Sequence, residues 1–359
     1  MSKNLVVCID GTANAPGQID GDDVPVGQGR YVQTNVARTW EALTGQTLDL
    51  ERPYGSIYKI QARKGETEQG EALYLNGVGS SGNFVSRTFQ GGTGTGTSER
   101  IRDAYRFLAE RWQPVDHIFG FGFSRGAFAI RSLAGFINDV GLPLKNNLLK
   151  EDELAELFGI YSNGGKGPRW TEPKAKVDFI GIWDTVGRLA FGRTVNGYHR
   201  ISPQNVKVVC HALALDEQRK HFQYEPWVTS NLRQTIEQVW FMGAHSNVGG
   251  GYRDDHLSNI ALFWILKRAL DHGLELSLKA VSGWDREGIN GRIRDSYVEF
   301  FKKPSLIGEL FTALGIAKSE REVPPGHRLH QSVTDATLAS WYTLRTKIPK
   351  GIKTENWGV

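Results

Sequence analysis

Residues 116–136, with the sequence DHIFGFGFSRGAFAIRSLAGF, constrain the fold of this chain more than any other stretch. An apolar run of strand-forming residues passes through a Gly-x-Ser-x-Gly pattern at 122–126 into a second apolar run that ends near Gly141. This pattern predicts a buried strand, a tight turn at Ser124 and a helix. A buried strand that leads at once into a helix is typical of parallel sheets covered by helices.

The same alternation continues along the chain. Strands are predicted in NLVVCIDGT, ALYLNGVGSSG, VDFIGIWDTVG and IEQVWFMGAH, and helices in TNVARTWEALTG, SERIRDAYRFLAERW and DDHLSNIALFWILKRALDHG. VKVVCHALALDEQRKHF is expected to mix a short strand with a helical run. The pattern predicts a doubly wound, mostly parallel α/β sheet with helices on both faces. Because the alternation fades near residue 275, residues 1–275 are assigned to this core and residues 276–359 to a cap or C-terminal region packed on it.

Ser124 is the candidate nucleophile. Its flanking glycines allow a sharp turn that raises the Oγ atom at the carboxyl end of the sheet, where α/β proteins place their sites. The N–H of Arg125 can then donate to an oxyanion, helped by the positive end of the helix. The alternative is a glycine-packed turn in which Ser124 only caps the helix.

Asp184 and His245 are the candidate partners of this serine, since a nucleophilic serine needs a base and an acid that orients the base. Asp184 follows the strand FIGIW and His245 follows the strand VWFMGA, so both are expected at the same edge of the sheet. The order Ser, Asp, His is the one that α/β-hydrolases use. Asp184 could instead only cap a turn, and His245 could be a structural loop residue.

The end of the first strand offers a second oxyanion donor. Asp10, Gly11 and Thr12 are expected beside the serine turn, with the N–H of Gly11 or Thr12 as the donor and a purely structural turn as the alternative. VVCIDGTA is also similar to the start of haloacid-dehalogenase-type phosphatases, but Cys8 stands where that chemistry needs an aspartate nucleophile. The loop GGTGTGTSER lacks the Gly-Lys-Ser/Thr ending of a phosphate-binding loop.

Composition and charge restrict the partners and the cellular location that this protein can have. The formal net charge is +4 over 359 residues with no dominant basic cluster, so no nucleic-acid partner is expected. Cys8 and Cys210 lie in apolar runs and are predicted to be buried and reduced. The sequence has no signal-peptide pattern and no apolar run of about 18 residues. We therefore expect a cytoplasmic protein, a location compatible with export by a machine that needs no signal peptide.

Five segments in order resemble the α/β-hydrolase family called domain of unknown function 2235. They are LVVCIDGTANAPG…TNVART, LYLNGVGSSG, FGFSRGAF, FIGIWDTVG and HALALDEQRKHF…QVWFMGAHSNVGGGY. The resemblance covers about residues 4–255, and LHQSV at 329–333 also fits. The family includes type VI secretion lipase effectors with phospholipase activity. The resemblance implies Ser124 as nucleophile, Asp184 as acid and His245 as base, acting on a phospholipid or another acyl ester.

Two positions depart from the family pattern: Asn247 stands where members usually have Asp, and Ala13 where they usually have Trp. A third feature lies near the C-terminus, where FFKKPSLIGELFTALGIAKSE predicts an amphipathic helix that could either touch lipid or pack on the core. The apolar face of this helix would hold Leu306, Ile307, Leu310, Phe311 and Leu314.

The sequence thus predicts a serine hydrolase that cleaves acyl esters through an acyl-Ser124 intermediate and uses no metal or organic cofactor. Phospholipids are the substrates that the resemblance implies, with peripheral contact to a membrane. A small-ester or thioester hydrolase, or an acyltransferase, would use the same residues. Outside enzymes, the alternative is a hydrolase-like binding protein without catalysis.

Overall fold

The computed structural model describes residues 2–12, 14, 32–49, 59–63, 70–78, 95–144, 149–165, 170, 175–186, 203–228, 231–276, 291–296, 319–339, 342–344 and 346–355. The strands are β1 (Asn4–Ile9), β2 (Lys59–Arg63), β3 (Gly70–Leu75), β4 (His117–Phe123), β5 (Val177–Trp183), β6 (Val206–Ala214), β7 (Thr235–Phe241), β8 (Arg328–His330) and β9 (Lys353–Glu355). The α-helices are α1 (Asn35–Thr44), α2 (Thr95–Ala109), α3 (Arg125–Val140), α4 (Glu151–Ser162), α5 (His245–Gly249), α6 (His256–Asp271) and α7 (Gln331–Leu338).

The nine described strands form one sheet in the order β2-β3-β1-β4-β5-β6-β7-β8-β9. Every neighbouring pair is parallel except β2 with β3, which is antiparallel and lies at one edge. The predicted fold class, a mostly parallel doubly wound α/β sheet, is therefore confirmed.

The central strands β1, β3, β4, β5 and β6 are buried along almost their whole length, which explains why they are apolar without alternation. In β1, Val6 and Cys8 pack into one apolar cluster with α1 and α6, whereas Leu5, Val7 and Ile9 pack into a second cluster with α2, α3 and α4. Cys8 and Cys210 are free thiols in the first cluster, as predicted.

Helix α1 forms in the predicted segment TNVARTWEALTG, and both of its ends are capped. The side chain of Thr34 accepts a hydrogen bond from the N–H of Ala37, and Gly45 ends the helix at a φ of 68°. The prediction of a helical run after β6 is wrong, because only a short 3₁₀ helix forms there, at Lys220–Phe222. The Glu217 carboxylate accepts the backbone N–H of Arg219 at 2.8 Å and so competes with helical hydrogen bonds.

Part of the C-terminal region belongs to the sheet itself. Strand β8 pairs in parallel with β7 through Arg328 and Leu329, and β9 continues the sheet beyond it. The proposed division near residue 275 stays a prediction, and the amphipathic stretch 306–314 lies outside the described residues. In the described part of the chain, no helix is long and apolar enough to cross a membrane.

Candidate active site

The site lies where the strand order of the sheet reverses. Strand β1 pairs with β3 on one side and with β4 on the other, so the chain winds away from β1 in both directions. Ligand sites of open α/β sheets occupy the crevice at such a switch point, at the carboxyl ends of the strands. Asp10 follows β1, Ser124 follows β4, and Asp184 follows β5 at this edge.

Ser124 holds a strained backbone conformation between β4 and α3. Its φ is 56° and its ψ is −120°, a region that residues with a side chain rarely adopt. The side chain makes no capping hydrogen bond to the helix that begins at the next residue. The capping role considered from the sequence therefore does not explain this serine, and the strain is the kind that positions a nucleophile.

The glycines on either side of Ser124 are needed because backbone approaches them closely. A Cβ atom on Gly122 would lie 2.6 Å from the carbonyl oxygen of Gly126 and 2.7 Å from the Cα of Ala127. A Cβ atom on Gly126 would lie 2.5 Å from the carbonyl oxygen of Asp10 and closer still to that of Ile9. The end of β1 thus lies directly against the start of α3, beside the serine turn.

Asp184 is completely buried and also has a positive φ, of 39°. Its Oδ1 accepts a hydrogen bond from the N–H of Ala214 at 3.0 Å, and its Oδ2 lies 2.6 Å from Nδ1 of His245. Burial alone would raise the pKa of this carboxyl, but the Arg321 guanidinium and the His245 hydrogen bond hold it well below its usual range. Asp184 is therefore ionised at neutral pH, and Nδ1 of His245 is the donor.

His245 is the first residue of α5 and is 5% exposed. The ring of Phe123 lies 4.5 Å from it, centroid to centroid, and the ring of Phe222 contacts it edge-on at 5.1 Å. Burial lowers the pKa of His245, although Asp184 acts in the opposite direction. The imidazole is therefore neutral at pH 7, which is the form a general base requires.

The structure brings the three candidate residues to one place. The backbone N–H of Ser124 donates to the carbonyl of Trp183 at 3.0 Å, and Trp183 is directly followed by Asp184. Phe123, the residue before Ser124, packs on His245. Ser124 and Asp184, 60 positions apart, and Asp184 and His245, 61 positions apart, therefore lie close together at the carboxyl edge of the sheet.

The loop after β1 has its own hydrogen bonds. The N–H of Gly11 donates to Oδ1 of Asp10 at 2.7 Å, so it is already engaged, and Thr12 is the better of the two candidate oxyanion donors. The Oγ1 of Thr12 accepts a hydrogen bond from Nε of Arg125, which ties the loop to the first residue of α3.

Asp10 holds this loop in place from inside the protein. Its Oδ2 accepts hydrogen bonds from the hydroxyls of Thr34 at 2.8 Å and Tyr74 at 2.6 Å. Burial raises the pKa of Asp10 to about 6, although the hydrogen bonds from Tyr74, Thr34 and Gly11 act in the opposite direction.

Two further charged residues of the site were not predicted. Arg321 forms a buried ion pair with Asp184 at 2.6 Å, and Glu217 accepts the backbone N–H of His245 at 3.3 Å. Burial would raise the pKa of Glu217, but Arg219 lowers it to about 2. Arg321 lies in a polar stretch with no motif, and its partner is 137 residues away, so no local pattern could have revealed it.

Asn247 has a structural reason to be an amide. Its Oδ1 accepts the N–H groups of Ala244 at 3.2 Å and Arg294 at 3.1 Å, while its Nδ2 donates to the carbonyl of Arg292 at 3.1 Å. An ionised carboxylate can accept but cannot donate, so an aspartate would face that carbonyl unfavourably. Ala13 lies outside the described residues.

The sheet is doubly wound, and its carboxyl edge holds a strained serine turn and a buried histidine–carboxylate pair. This is the architecture of an α/β-hydrolase-like protein. The chain belongs to the family described as "T6SS, Phospholipase effector Tle1-like, catalytic domain", whose model matches residues 3–268.

Individual relatives are more distant. The chain is 27% identical over 214 residues to the uncharacterized protein YEL023C of Saccharomyces cerevisiae, a match that covers 48% of this chain and 30% of the yeast protein. A crystal structure of an uncharacterized protein from Pseudomonas aeruginosa is 16% identical, with a TM-score of 0.43, over 87% of this chain and 50% of that one. The Tle1 effector bound to the VgrG spike of the type 6 secretion system is 18% identical, with a TM-score of 0.33, over 70% and 51%. The chain thus spans at most about half the length of these relatives.

Proposed function

We propose that this protein is a serine hydrolase that cleaves acyl esters of phospholipids through an acyl-Ser124 intermediate. The observation that carries the proposal is the 2.6 Å hydrogen bond between Asp184 and His245, next to a serine with a strained backbone and no capping role. Membership of a family described as phospholipase effectors supports a phospholipid as the substrate.

In the first half of the reaction, the Asp184 carboxylate accepts a hydrogen bond from the Nδ1–H of His245, which leaves Nε2 unprotonated and able to take the proton of the Ser124 hydroxyl. The Ser124 Oγ atom bonds to the ester carbonyl carbon, and the carbonyl oxygen becomes an oxyanion. The backbone N–H of Arg125, at the positive end of α3, and that of Thr12 are the proposed donors to this oxyanion. The imidazolium then gives its proton to the leaving alcohol as the ester bond breaks.

In the second half, His245 takes a proton from water, and the resulting hydroxide attacks the acyl-serine. The bond between Ser124 Oγ and the acyl carbon breaks, and the proton held by His245 returns to the serine. The products are a fatty acid and a lysophospholipid.

The charges around the site suit this cycle. Asp184 stays ionised throughout, because Arg321 compensates its charge, and it stabilises the transient imidazolium. His245 begins each half-cycle neutral because burial lowers its pKa. A neutral base beside a fixed carboxylate is the state from which proton abstraction starts.

Export by a type VI secretion machine and peripheral contact with a phospholipid surface belong to the same proposal, and family membership supports both. Small esters and thioesters are chemically accessible to the same three residues.

The experiment is release of fatty acid from mixed phospholipid vesicles by the purified protein, with a short-chain ester assayed in parallel. We expect wild type to release fatty acid and Ser124→Ala to release none. If wild type turns over only the short ester, the assignment of the three catalytic residues stands and phospholipid is rejected as the substrate. Inactivity of the folded wild type on both substrates would reject the enzyme and favour a hydrolase-like binding protein.

A further inference from the structure

Arg321 contacts the candidate acid of the site with both arms of its guanidinium group. Nη1 donates to Oδ1 of Asp184 at 2.6 Å, and Nη2 donates to Oδ2 at 3.0 Å. Nη1 also donates to the carbonyl of Ala214 at 2.8 Å, and Nη2 donates to the carbonyl of Phe222. One buried arginine therefore holds a carboxylate and two backbone carbonyls at once.

We propose that Arg321 is a positioning residue of the hydrolase: it fixes the orientation of the Asp184 carboxylate and sets the proton affinity of His245. This inference rests on the proposed function for its catalytic meaning, although the pairing of Arg321, Asp184 and His245 can be tested without a substrate. Arg321 lies outside the residues 3–268 that the family model matches.

The geometry explains how the orientation is fixed. Oδ1 accepts from Ala214 N–H and Arg321, and Oδ2 accepts from His245 and Arg321. Each oxygen therefore has two donors, and rotating the carboxylate would break hydrogen bonds that a buried site cannot replace with water. A planar guanidinium can hold both oxygens simultaneously, whereas a lysine ammonium is a single point of charge.

The charge of Arg321 acts on His245 through the shared carboxylate. Asp184 favours the protonated form of His245, and a fixed cation on the same carboxylate weakens that preference. Among the described residues, the other charged or titratable groups near His245 and Asp184 are Glu217 and Arg219, on the segment after β6, and His211, on β6. Glu217 raises the pKa of His245 and Arg219 lowers it, while burial lowers the pKa of His211 to about 3. Arg321 differs from Arg219 because its guanidinium contacts both oxygens of Asp184 directly.

The segment that carries Arg321 is anchored beside the site. The N–H of Ser319 donates to the carbonyl of Gln218 at 2.9 Å, and the N–H of Val323 donates to the carbonyl of Lys347 at 3.0 Å. These backbone hydrogen bonds on both sides of Arg321 hold its segment beside Asp184. The position of the guanidinium therefore does not depend on the ion pair alone.

The test is an NMR titration of His245 in wild type, Arg321→Met and the control Arg328→Met, with the signal assigned through His245→Gln. Arg328 is an arginine of the same C-terminal region that pairs with Glu355 at 2.6 Å. We expect Arg321→Met to raise the pKa of His245 by about 1–2 pH units, because the histidine becomes the main counter-charge of Asp184. Arg328→Met should leave the titration where wild type has it.

Arg321→Lys is the second test variant, for use if Arg321→Met does not fold. It keeps the charge but cannot hold both oxygens, so the Nδ1 proton of His245 should exchange faster with solvent while the titration midpoint stays in place. In turnover, kcat should fall about 10- to 100-fold with KM little changed.

An unchanged His245 titration in folded Arg321→Met, or wild-type Nδ1 exchange and kcat in Arg321→Lys, would overturn the inference. If the titration shifts as expected but wild type hydrolyses no ester, the proposed function fails and the role of Arg321 in fixing the pair stands.

Discussion

Arg321 and Asp184 form an ion pair at 2.6 Å in which neither side chain is exposed to solvent. Taking two charges out of water is costly, and their attraction repays that cost only while both partners are present. The candidate acid is therefore tied to the stability of the fold as well as to catalysis, and the two roles can be separated by mutation.

Asp184→Asn should lower kcat by about 10³- to 10⁴-fold, because the amide no longer holds the Nδ1–H tautomer of His245. It should also destabilise the fold by about 3–5 kcal/mol, since Arg321 is left buried without its counter-charge. Urea unfolding of Asp184→Asn, Arg321→Met and the double variant measures this. The double variant should be less destabilised than the sum of the single changes, and strict additivity would contradict the pairing.

The pH dependence of turnover should follow His245. Because burial lowers its pKa, the neutral base persists to a pH below the ordinary histidine value of about 6.5. The value of kcat/KM should rise with pH and reach half its plateau below that value, as measured on a soluble short-chain ester. A half-maximum clearly above pH 6.5 would mean that Asp184 outweighs burial.

Strand-to-turn transitions account for what the sequence predicts well. Strand β4, the serine turn and α3 are predictable because an apolar run, two close-packed glycines and a second apolar run occur consecutively. Asp184 is predicted by the same reasoning, since it directly follows the fully buried strand β5, and His245 lies four residues after the buried end of β7. The catalytic roles of both residues stay predictions.

Elements without such signals were missed. Strand β8 has three residues and β2 is an antiparallel edge strand, so neither carries a long apolar pattern. Helix α4 was also not predicted, although its buried residues repeat at helical spacing: Leu154, Leu157, Phe158 and Tyr161. The charged partners Arg321 and Glu217 are defined only by tertiary packing, because their roles depend on groups that the fold brings to them.

Asp10 should give the stability of the fold a pH dependence opposite in sign to that of Asp184. Its folded pKa of about 6 lies above the ordinary aspartate value of about 3.9, so its contribution to stability is present at low pH and is lost as pH rises through that window. Relative to wild type, Asp10→Asn should gain about 2 kcal/mol of unfolding free energy between pH 4 and pH 7. Urea denaturation across this range tests it, and a constant difference between the two proteins would refute it.

Gly126→Ala should destabilise the protein by about 1–3 kcal/mol or more, because its Cβ would overlap backbone carbonyls at the end of β1, which cannot move aside. The matched control is Gly159→Ala in α4, where a Cβ would meet nothing within 4 Å. That change should stabilise the helix by about 0.5–1 kcal/mol. Thermal unfolding compares the two, and equal effects would argue against the tight contact at the serine turn.

The most direct test of the central claim is labelling of the folded protein by a serine-directed fluorophosphonate, read by intact-mass spectrometry. Ser132 provides the control, since it lies in α3, is buried and has no hydrogen-bond partner for its Oγ, so alanine there should be tolerated. We predict one adduct on wild type and on Ser132→Ala, and none on Ser124→Ala. Labelling that persists in folded Ser124→Ala, or its absence from folded wild type, would contradict the assignment of Ser124 as the nucleophile.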